Sequence, residues 1–180
     1  MKPKISIWVS LLICLVLLVF GLTYGDVNGY ADERAHVNAL LEGDSGLLTV
    51  VGYRASDGLN LCVVAQRHLS GDPDVTALKN AAEALRADGL GIQAVKAGDA
   101  ALARAFATVA NKLKANTEVN AGGRDAQYLA LLTADFDAYG QNEIYATYNK
   151  AATEFNRKLT TPVLGDVARF FGVKACELYE

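Results

Sequence analysis

The feature that most constrains this chain is an uncharged apolar run at residues 5–22, with the sequence ISIWVSLLICLVLLVFGL. Eighteen residues of α-helix rise about 27 Å, close to the roughly 30 Å hydrocarbon core of a bilayer. The run therefore predicts a helix that crosses a membrane, with the lipid bilayer as its partner. We divide the 180-residue chain into a membrane anchor at residues 1–25 and one domain at residues 26–180.

The charges on either side of the run predict its orientation. Lys2 and Lys4 precede it, and acidic residues follow it before the first basic one, Arg34. Loops on the cytoplasmic side of a membrane carry an excess of Lys and Arg. We therefore expect a single-pass protein with a cytoplasmic N-terminus and an extracytoplasmic domain.

Two other interpretations of the run stay open. A cleaved signal peptide fits the charged start and the small residues at Thr23-Tyr24-Gly25, but the run exceeds the usual 7–15 residues and lacks an Ala-x-Ala site. A lipoprotein would use Cys14, although the bulky Ile13 precedes this cysteine, which lies in the middle of the run.

Charge and cysteine content narrow the function classes. Without Lys2 and Lys4, 15 basic residues stand against 20 acidic ones, a net charge of −5. This balance, together with the absence of a basic stripe, argues against a nucleic-acid partner. Cys62 and Cys176 follow no metal-binding spacing, so they form either a disulfide outside the cytoplasm or two separate thiols.

Apolar residues recur at helical spacing, and no period-two pattern appears after residue 52. We predict an all-α fold in which the N-terminal transmembrane helix is followed by an elongated antiparallel helical bundle. Asp72 and Pro73 suit a helix start, and Pro162 suits a helix end. The predicted domain helices are 31–42, 47–69, 75–87, 100–113, 124–159 and 163–171.

Glycine-rich stretches mark the expected interruptions. Residues 25–29 (GDVNG) predict a break or flexible neck after the membrane helix. Residues 88–91 form either a turn or a weak patch in one long helix, and Gly98-Asp99 is a second such patch. Residues 116–123 form a loop, and Gly172 is a natural helix C-cap.

Three sequence blocks in the C-terminal third resemble the LemA family of membrane-anchored bacterial proteins. They are Leu113-Lys114-Ala115-Asn116; the pairs Tyr148-Asn149 and Phe155-Asn156, seven residues apart; and Phe170-Phe171-Gly172-Val173-Lys174 with the ending Glu177-Leu178-Tyr179-Glu180. Residues 54–61 correspond to the family's RR-x-DLIPNLV element without its proline and one arginine. The family's tryptophan-bearing first helix and its TENRI element are absent, so the chain resembles a divergent member.

The resemblance implies a membrane helix that runs towards the first helix of an antiparallel bundle. It implies no established enzymatic activity and no cofactor. The motif positions then have structural or partner-binding roles. They are Leu113, Lys114, Ala115, Asn116, Tyr148, Asn149, Phe155, Asn156, Phe171, Gly172, Glu177 and Tyr179.

The two aromatic-Asn pairs support two interpretations. Seven residues are about two helical turns, so Asn149 and Asn156 share nearly one face, beside a stripe formed by Tyr148 and Phe155. In the structural interpretation the aromatics are core residues and the asparagines bond a neighbouring helix or the turn at 160–162. In the functional interpretation they line a partner-binding groove.

The remaining polar residues do not form a recognisable catalytic or metal-binding pattern. His36 and His68 lie in different segments, and we expect His68 beside Arg67 to be a surface residue. Asp135 and Asp137 point to different faces of a solvated helix. We therefore predict no catalytic, cofactor-binding or metal-binding residues.

The leading hypothesis is a non-catalytic, membrane-anchored scaffold that binds other envelope proteins. One alternative is an accessory subunit of an envelope hydrolase, which needs a polar cleft with convergent ionisable groups. Another is a helical carrier of an apolar ligand, which needs an apolar cavity between helices. A homo-oligomer is possible, but the drifting apolar spacing of residues 124–159 does not predict a coiled coil.

Overall fold

A computed structural model describes residues 7–121 and 123–180, except for the side chains of Leu22 and Asn120. These residues are mostly helical and contain no strand, which confirms the all-α prediction. The helices are α1 (Ile7–Glu42), α2 (Leu47–His68), α3 (Pro73–Ala84), α4 (Ile92–Ala115), α5 (Thr117–Asn120), α6 (Arg124–Gly140), α7 (Ile144–Leu159) and α8 (Leu164–Phe170). Lys2, Lys4 and the first two residues of the apolar run lie outside the described residues.

The chain divides into two compact units, and the division falls within α1 and within α7. The first unit contains residues up to Asn38 together with Ala151–Cys176. The second contains Ala39–Lys150 together with Glu177–Glu180. Each unit has its own internal packing.

In the second unit α2 packs against α3, α4 and α6. The buried stripe of α4 shows why this helix forms: Leu102, Phe106, Val109 and Leu113 recur at steps of three and four, so they share one face. Phe106 stacks on Phe136 of α6 with 3.9 Å between ring centroids. Burial of this apolar surface is the main stabilising term of the unit.

Local capping confirms the predicted helix start at Asp72-Pro73, and the structure resolves the two weak patches. The Asp72 carboxylate accepts a hydrogen bond from the Asp74 amide at 2.8 Å, and Pro73 is the first residue of α3. Residues 88–91 are a turn, in which Gly89 has a φ of +73°. Gly98 and Asp99, by contrast, lie inside α4.

The prediction of one helix over residues 124–159 is wrong. α6 ends at Gly140 and α7 begins at Ile144. The Asn142 side chain accepts a hydrogen bond from the Ile144 amide at 2.9 Å, a local bond that competes with continuation of the helix. The apolar spacing did not reveal the break because steps of three to five residues continue across it.

The first unit corrects the predicted neck, because α1 runs without interruption through residues 25–29. A glycine inside a helix costs only about 1 kcal/mol relative to alanine, which the surrounding turns can offset. Just beyond the glycines, the Tyr30 hydroxyl donates to the Lys158 carbonyl at 2.9 Å, and Lys158 forms a 2.7 Å ion pair with Glu33.

The N-terminal half of α1 is apolar, and its large apolar side chains from Ile7 to Phe20 are exposed. Its most apolar 18-residue window has a mean hydropathy of 2.5, and none of this window is buried. By length and composition this helix could cross a membrane, and it is the one such helix in residues 7–121 and 123–180.

The continuity of α1 predicts the effect of Gly25→Ala and Gly29→Ala. A Cβ atom at either position meets nothing within 4 Å, so each substitution should stabilise the local helix by about 1 kcal/mol. Slower amide hydrogen exchange across residues 21–32 of the full chain in lipid nanodiscs would show this. Gly165→Ala is a control with the opposite expected sign. Its Cβ would lie 2.2 Å from the Leu159 carbonyl oxygen, so this substitution should destabilise the backbone around it. Faster exchange in the two α1 variants would contradict the continuous helix.

Candidate functional site

In the first unit Asn156 holds the backbone of the C-terminal segment, residues 173–180, at Cys176. Its side-chain amide donates to the Cys176 carbonyl at 2.8 Å, and its side-chain oxygen accepts from the Cys176 amide at 2.7 Å. One asparagine therefore satisfies both backbone polar groups of a residue that lies outside any helix or strand. Arg34 donates to the carbonyls of Lys174 and Ala175.

In the second unit Tyr148 and Asn149 hold the end of the same segment. The Tyr148 hydroxyl donates to the Glu177 carbonyl at 2.6 Å, and the Asn149 side-chain oxygen accepts from the Tyr179 amide at 2.8 Å. Gln93 of α4 adds a 2.8 Å bond to the Leu178 carbonyl. The pattern of bonds along residues 174–179 accounts for a segment that has no regular secondary structure of its own.

These bonds refine the structural interpretation of the aromatic-Asn pairs. Tyr148 and Phe155 are buried, as expected of core aromatics, and the Tyr30 ring packs edge-on to Phe155. The expected partners of the asparagines were wrong, however. Both asparagines bond the C-terminal segment. The backbone groups of a helix are already paired within the helix, whereas those of this segment are not and can accept or donate to side chains.

The other motif positions have separate local roles. Leu113 is fully buried in the core, and Asn116 caps α5 by accepting from the Glu118 amide at 2.9 Å. Lys114 and Ala115, between them, are exposed. After α8, Phe171 is exposed and Gly172 has a φ of +91°. Glu177 contributes its backbone carbonyl. The motif positions are thus distributed over both units.

The second unit also contains a buried polar cluster that the sequence analysis missed. Arg54 of α2 and Asp99 of α4 are both buried and form an ion pair. The Tyr179 hydroxyl donates to Asp99 at 2.9 Å, and the Arg54 guanidinium lies 4.3 Å from the centre of the Phe136 ring. A signal was present: Arg54 and Asp99 each occupy a position on the apolar stripe of their helix.

Two tyrosines complete this cluster. The rings of Tyr145 and Tyr179 lie 5.1 Å apart, and burial, followed by the negative charge of Asp99, raises the pKa of both hydroxyls. Both therefore stay protonated at neutral pH, and Tyr179 remains a hydrogen-bond donor to the carboxylate. Such an arrangement holds Tyr179 in place and offers no activated nucleophile.

A groove between α2 and α6 presents both apolar and charged side chains. Val63, Tyr128 and Leu131 are exposed on its surface, and its volume is about 500 Å³. Asp57 and Asp135 also line the groove, as do Arg67 and Arg124. Burial, with a contribution from the negative charge of Asp135, raises the pKa of Asp57 to about 6.

The two histidines belong to different units. His36 is exposed in the first unit, whereas His68 belongs to the second. The expectation that His68 is a surface residue was wrong. Its ring is largely buried and lies 2.9 Å from the Asp125 carboxylate, and this hydrogen bond lowers the pKa of Asp125. No group of three or more potential metal ligands occurs among residues 7–121 and 123–180.

The three cysteines are free thiols. Burial raises the pKa of the Cys62 thiol to about 11, and it also raises that of Cys176. Because the thiolate is the reactive form, these two side chains behave as small core residues.

Comparison with known proteins finds no relative: no protein-family model, no curated protein and no solved structure matches the chain. The resemblance to the LemA family therefore depends on the three sequence blocks alone.

Asn156→Ala removes both bonds to Cys176 and leaves two backbone groups unpaired. We expect a loss of about 2 kcal/mol of local stability and faster amide exchange across residues 173–180. Hydrogen exchange of the full chain in nanodiscs measures this change. Asn111→Ala, at an exposed position of α4, is the matched control. Equal exchange in the two variants would show that the C-terminal segment does not depend on Asn156.

The raised pKa of Asp57 predicts that the stability of the fold depends on pH. Its pKa is higher in the folded chain than its ordinary value of 3.8, so the folded state holds the proton more tightly. Stability should therefore fall as the pH rises from about 4 to about 6, by about 1 kcal/mol after allowance for solvent screening. Asp57→Asn should abolish the fall, as measured by denaturant unfolding of the second unit in detergent-solubilised full chain.

Asp137→Asn is the control for this effect, because Asp137 is exposed on the same helix as Asp135. An unchanged pH profile in Asp57→Asn would refute the assignment. A profile altered equally by Asp137→Asn would do the same.

Proposed function

We propose that this chain is a single-pass membrane protein of the bacterial cell envelope, a divergent relative of the LemA family. In this proposal an antiparallel helical bundle binds other envelope proteins and performs no catalysis. The main observation in support of the proposal is the exposed apolar surface of α1.

The energetics of this surface favour a bilayer. Twelve large apolar side chains between Ile7 and Phe20 are exposed, from about half to four-fifths of their surface. Full burial of one such side chain is worth about 1.5–3 kcal/mol, so their exposure to water would cost far more than a small domain's net stability. A helix satisfies its backbone hydrogen bonds internally and is one of the two structures that can cross hydrocarbon.

The orientation in the proposal follows from charge. Lys2 and Lys4 lie before the apolar run, and Asp32 and Glu33 follow it. With the N-terminus in the cytoplasm, the helical units stand outside the membrane, where other envelope proteins are the available partners.

The groove between α2 and α6 is the proposed partner site. Exposed apolar side chains flanked by charged ones resemble an interface core with a polar rim. Leu131 is 54 % exposed at the apolar part of the groove, and the carboxylates of Asp57 and Asp135 lie beside it. The groove therefore suits a partner segment that carries an apolar side chain flanked by charged ones, with a basic side chain where it meets these two carboxylates.

Site-specific photo-crosslinking of the full chain in its native membrane tests the proposal. A photoreactive side chain at Leu131 should yield a defined cross-linked species, and one at Ala77, an exposed position of α3, should not. The Leu131 product should diminish when Asp57→Asn and Asp135→Asn remove the two carboxylates. Identical products from both positions, or none from Leu131, would contradict a partner site in this groove.

A further inference from the structure

The first unit exposes a second apolar surface, located at its last helix. Val163, Leu164, Phe170 and Phe171 are all more than half exposed, and Phe170 is 85 % exposed. The Phe170 and Phe171 rings contact each other edge-on, 5.4 Å apart. Large apolar groups concentrated on so short an element mark an interaction surface.

The backbone around α8 fixes the direction of this surface. Gly165 and Ala168 are buried, and a Cβ at Gly165 would lie 2.2 Å from the Leu159 carbonyl oxygen. Val163 has a φ of +71°, which is unfavourable for a β-branched residue, and the Leu164 amide donates across it to the Pro162 carbonyl at 2.9 Å. One side of α8 is thus packed closely, and the phenylalanines project from the other.

Phe171 lies beside the part of α1 where the apolar run ends, and this level indicates what covers the surface. Phe171 lines an almost wholly apolar cavity of about 500 Å³ together with Leu15, Val19, Phe20, Tyr24 and Val27 of α1. Residues 15–27 rise about 18 Å along the helix. They include the end of the apolar run at residue 22, which is the level at which a membrane helix leaves the hydrocarbon.

We propose that the surface formed by Val163, Leu164, Phe170 and Phe171 inserts into the interfacial region of the bilayer, as a second membrane contact beside α1. This inference rests on the proposed membrane anchor. Phe171 belongs both to this surface and to the apolar cavity on α1, so the phospholipid that surrounds α1 also reaches the surface.

The chemistry of this surface matches the membrane interface. Aromatic rings are enriched at the level of the headgroups, and interfacial helices combine them with basic residues. Arg169 and Lys174 supply positive charge on either side of the two phenylalanines, although Arg169 also pairs with Asp166. The surface therefore suits a phospholipid headgroup region with acyl chains directly below it.

The single tryptophan of the chain, Trp8, makes the inference directly testable. The full chain is reconstituted in phosphatidylcholine–phosphatidylglycerol vesicles that contain lipids brominated near the glycerol end of the acyl chain. The test variant carries Trp8→Phe with Phe170→Trp, and a second carries Trp8→Phe with Phe171→Trp. The matched control carries Trp8→Phe with Leu131→Trp, at an exposed position of the second unit.

We expect bromolipid to quench the tryptophan introduced at position 170 or 171 at least about twofold more than that in the Leu131→Trp control, since interfacial side chains lie within 5–10 Å of the acyl boundary. Aqueous acrylamide should show the reverse order. If acrylamide quenches the introduced tryptophan and bromolipid does not, the surface faces water and the inference is wrong. Protection from both quenchers would also overturn it, because a second copy of the chain would then cover the surface.

Trp8 in the unsubstituted chain separates this inference from the proposed anchor. Quenching of Trp8 by bromolipid, without quenching at positions 170 and 171, would leave the anchor intact and remove the α8 contact. Absence of quenching at Trp8 would overturn both.

Discussion

The uncovered apolar surface of α1 is the constraint on which the rest of the structure depends. Water cannot solvate twelve exposed large apolar side chains without a large free-energy cost, and none of the most apolar window is buried within the described residues. A bilayer removes the cost without any further protein contact. Because α1 continues as one helix to Glu42, whatever surrounds its first half also fixes the direction of its second half.

The C-terminal segment depends on polar contacts rather than on apolar burial. Its backbone lies outside any helix or strand, so its amides and carbonyls need other hydrogen-bond partners. Asn156, Tyr148, Asn149 and Gln93 supply those partners from side chains. Each aromatic-Asn pair of α7 thus places a buried ring beside an asparagine that hydrogen-bonds the backbone of the C-terminal segment. This role explains the spacing of the pairs without reference to catalysis.

Local sequence patterns identified most helices because propensity, capping and apolar periodicity agree there, as at Asp72-Pro73. They failed where a single side-chain hydrogen bond accompanies the end of a helix, as at Asn142. They also failed where neighbouring helical turns offset the low helix propensity of glycine, as at residues 25–29. The Arg54–Asp99 pair joins residues 45 positions apart, so sequence could show a charge on each apolar stripe but not that the two charges meet. For the same reason, the aromatic-Asn pairs were recognised while their partner, the C-terminal segment, was not.

The central claim is that α1 remains attached and crosses the membrane. It is tested most directly by determining the intact mass of the protein that remains in membranes after alkaline carbonate washing. If α1 is an uncleaved membrane anchor, the protein stays in the washed membrane and its mass includes residues 1–25. Release into the wash, or a mass that lacks these residues, would contradict it.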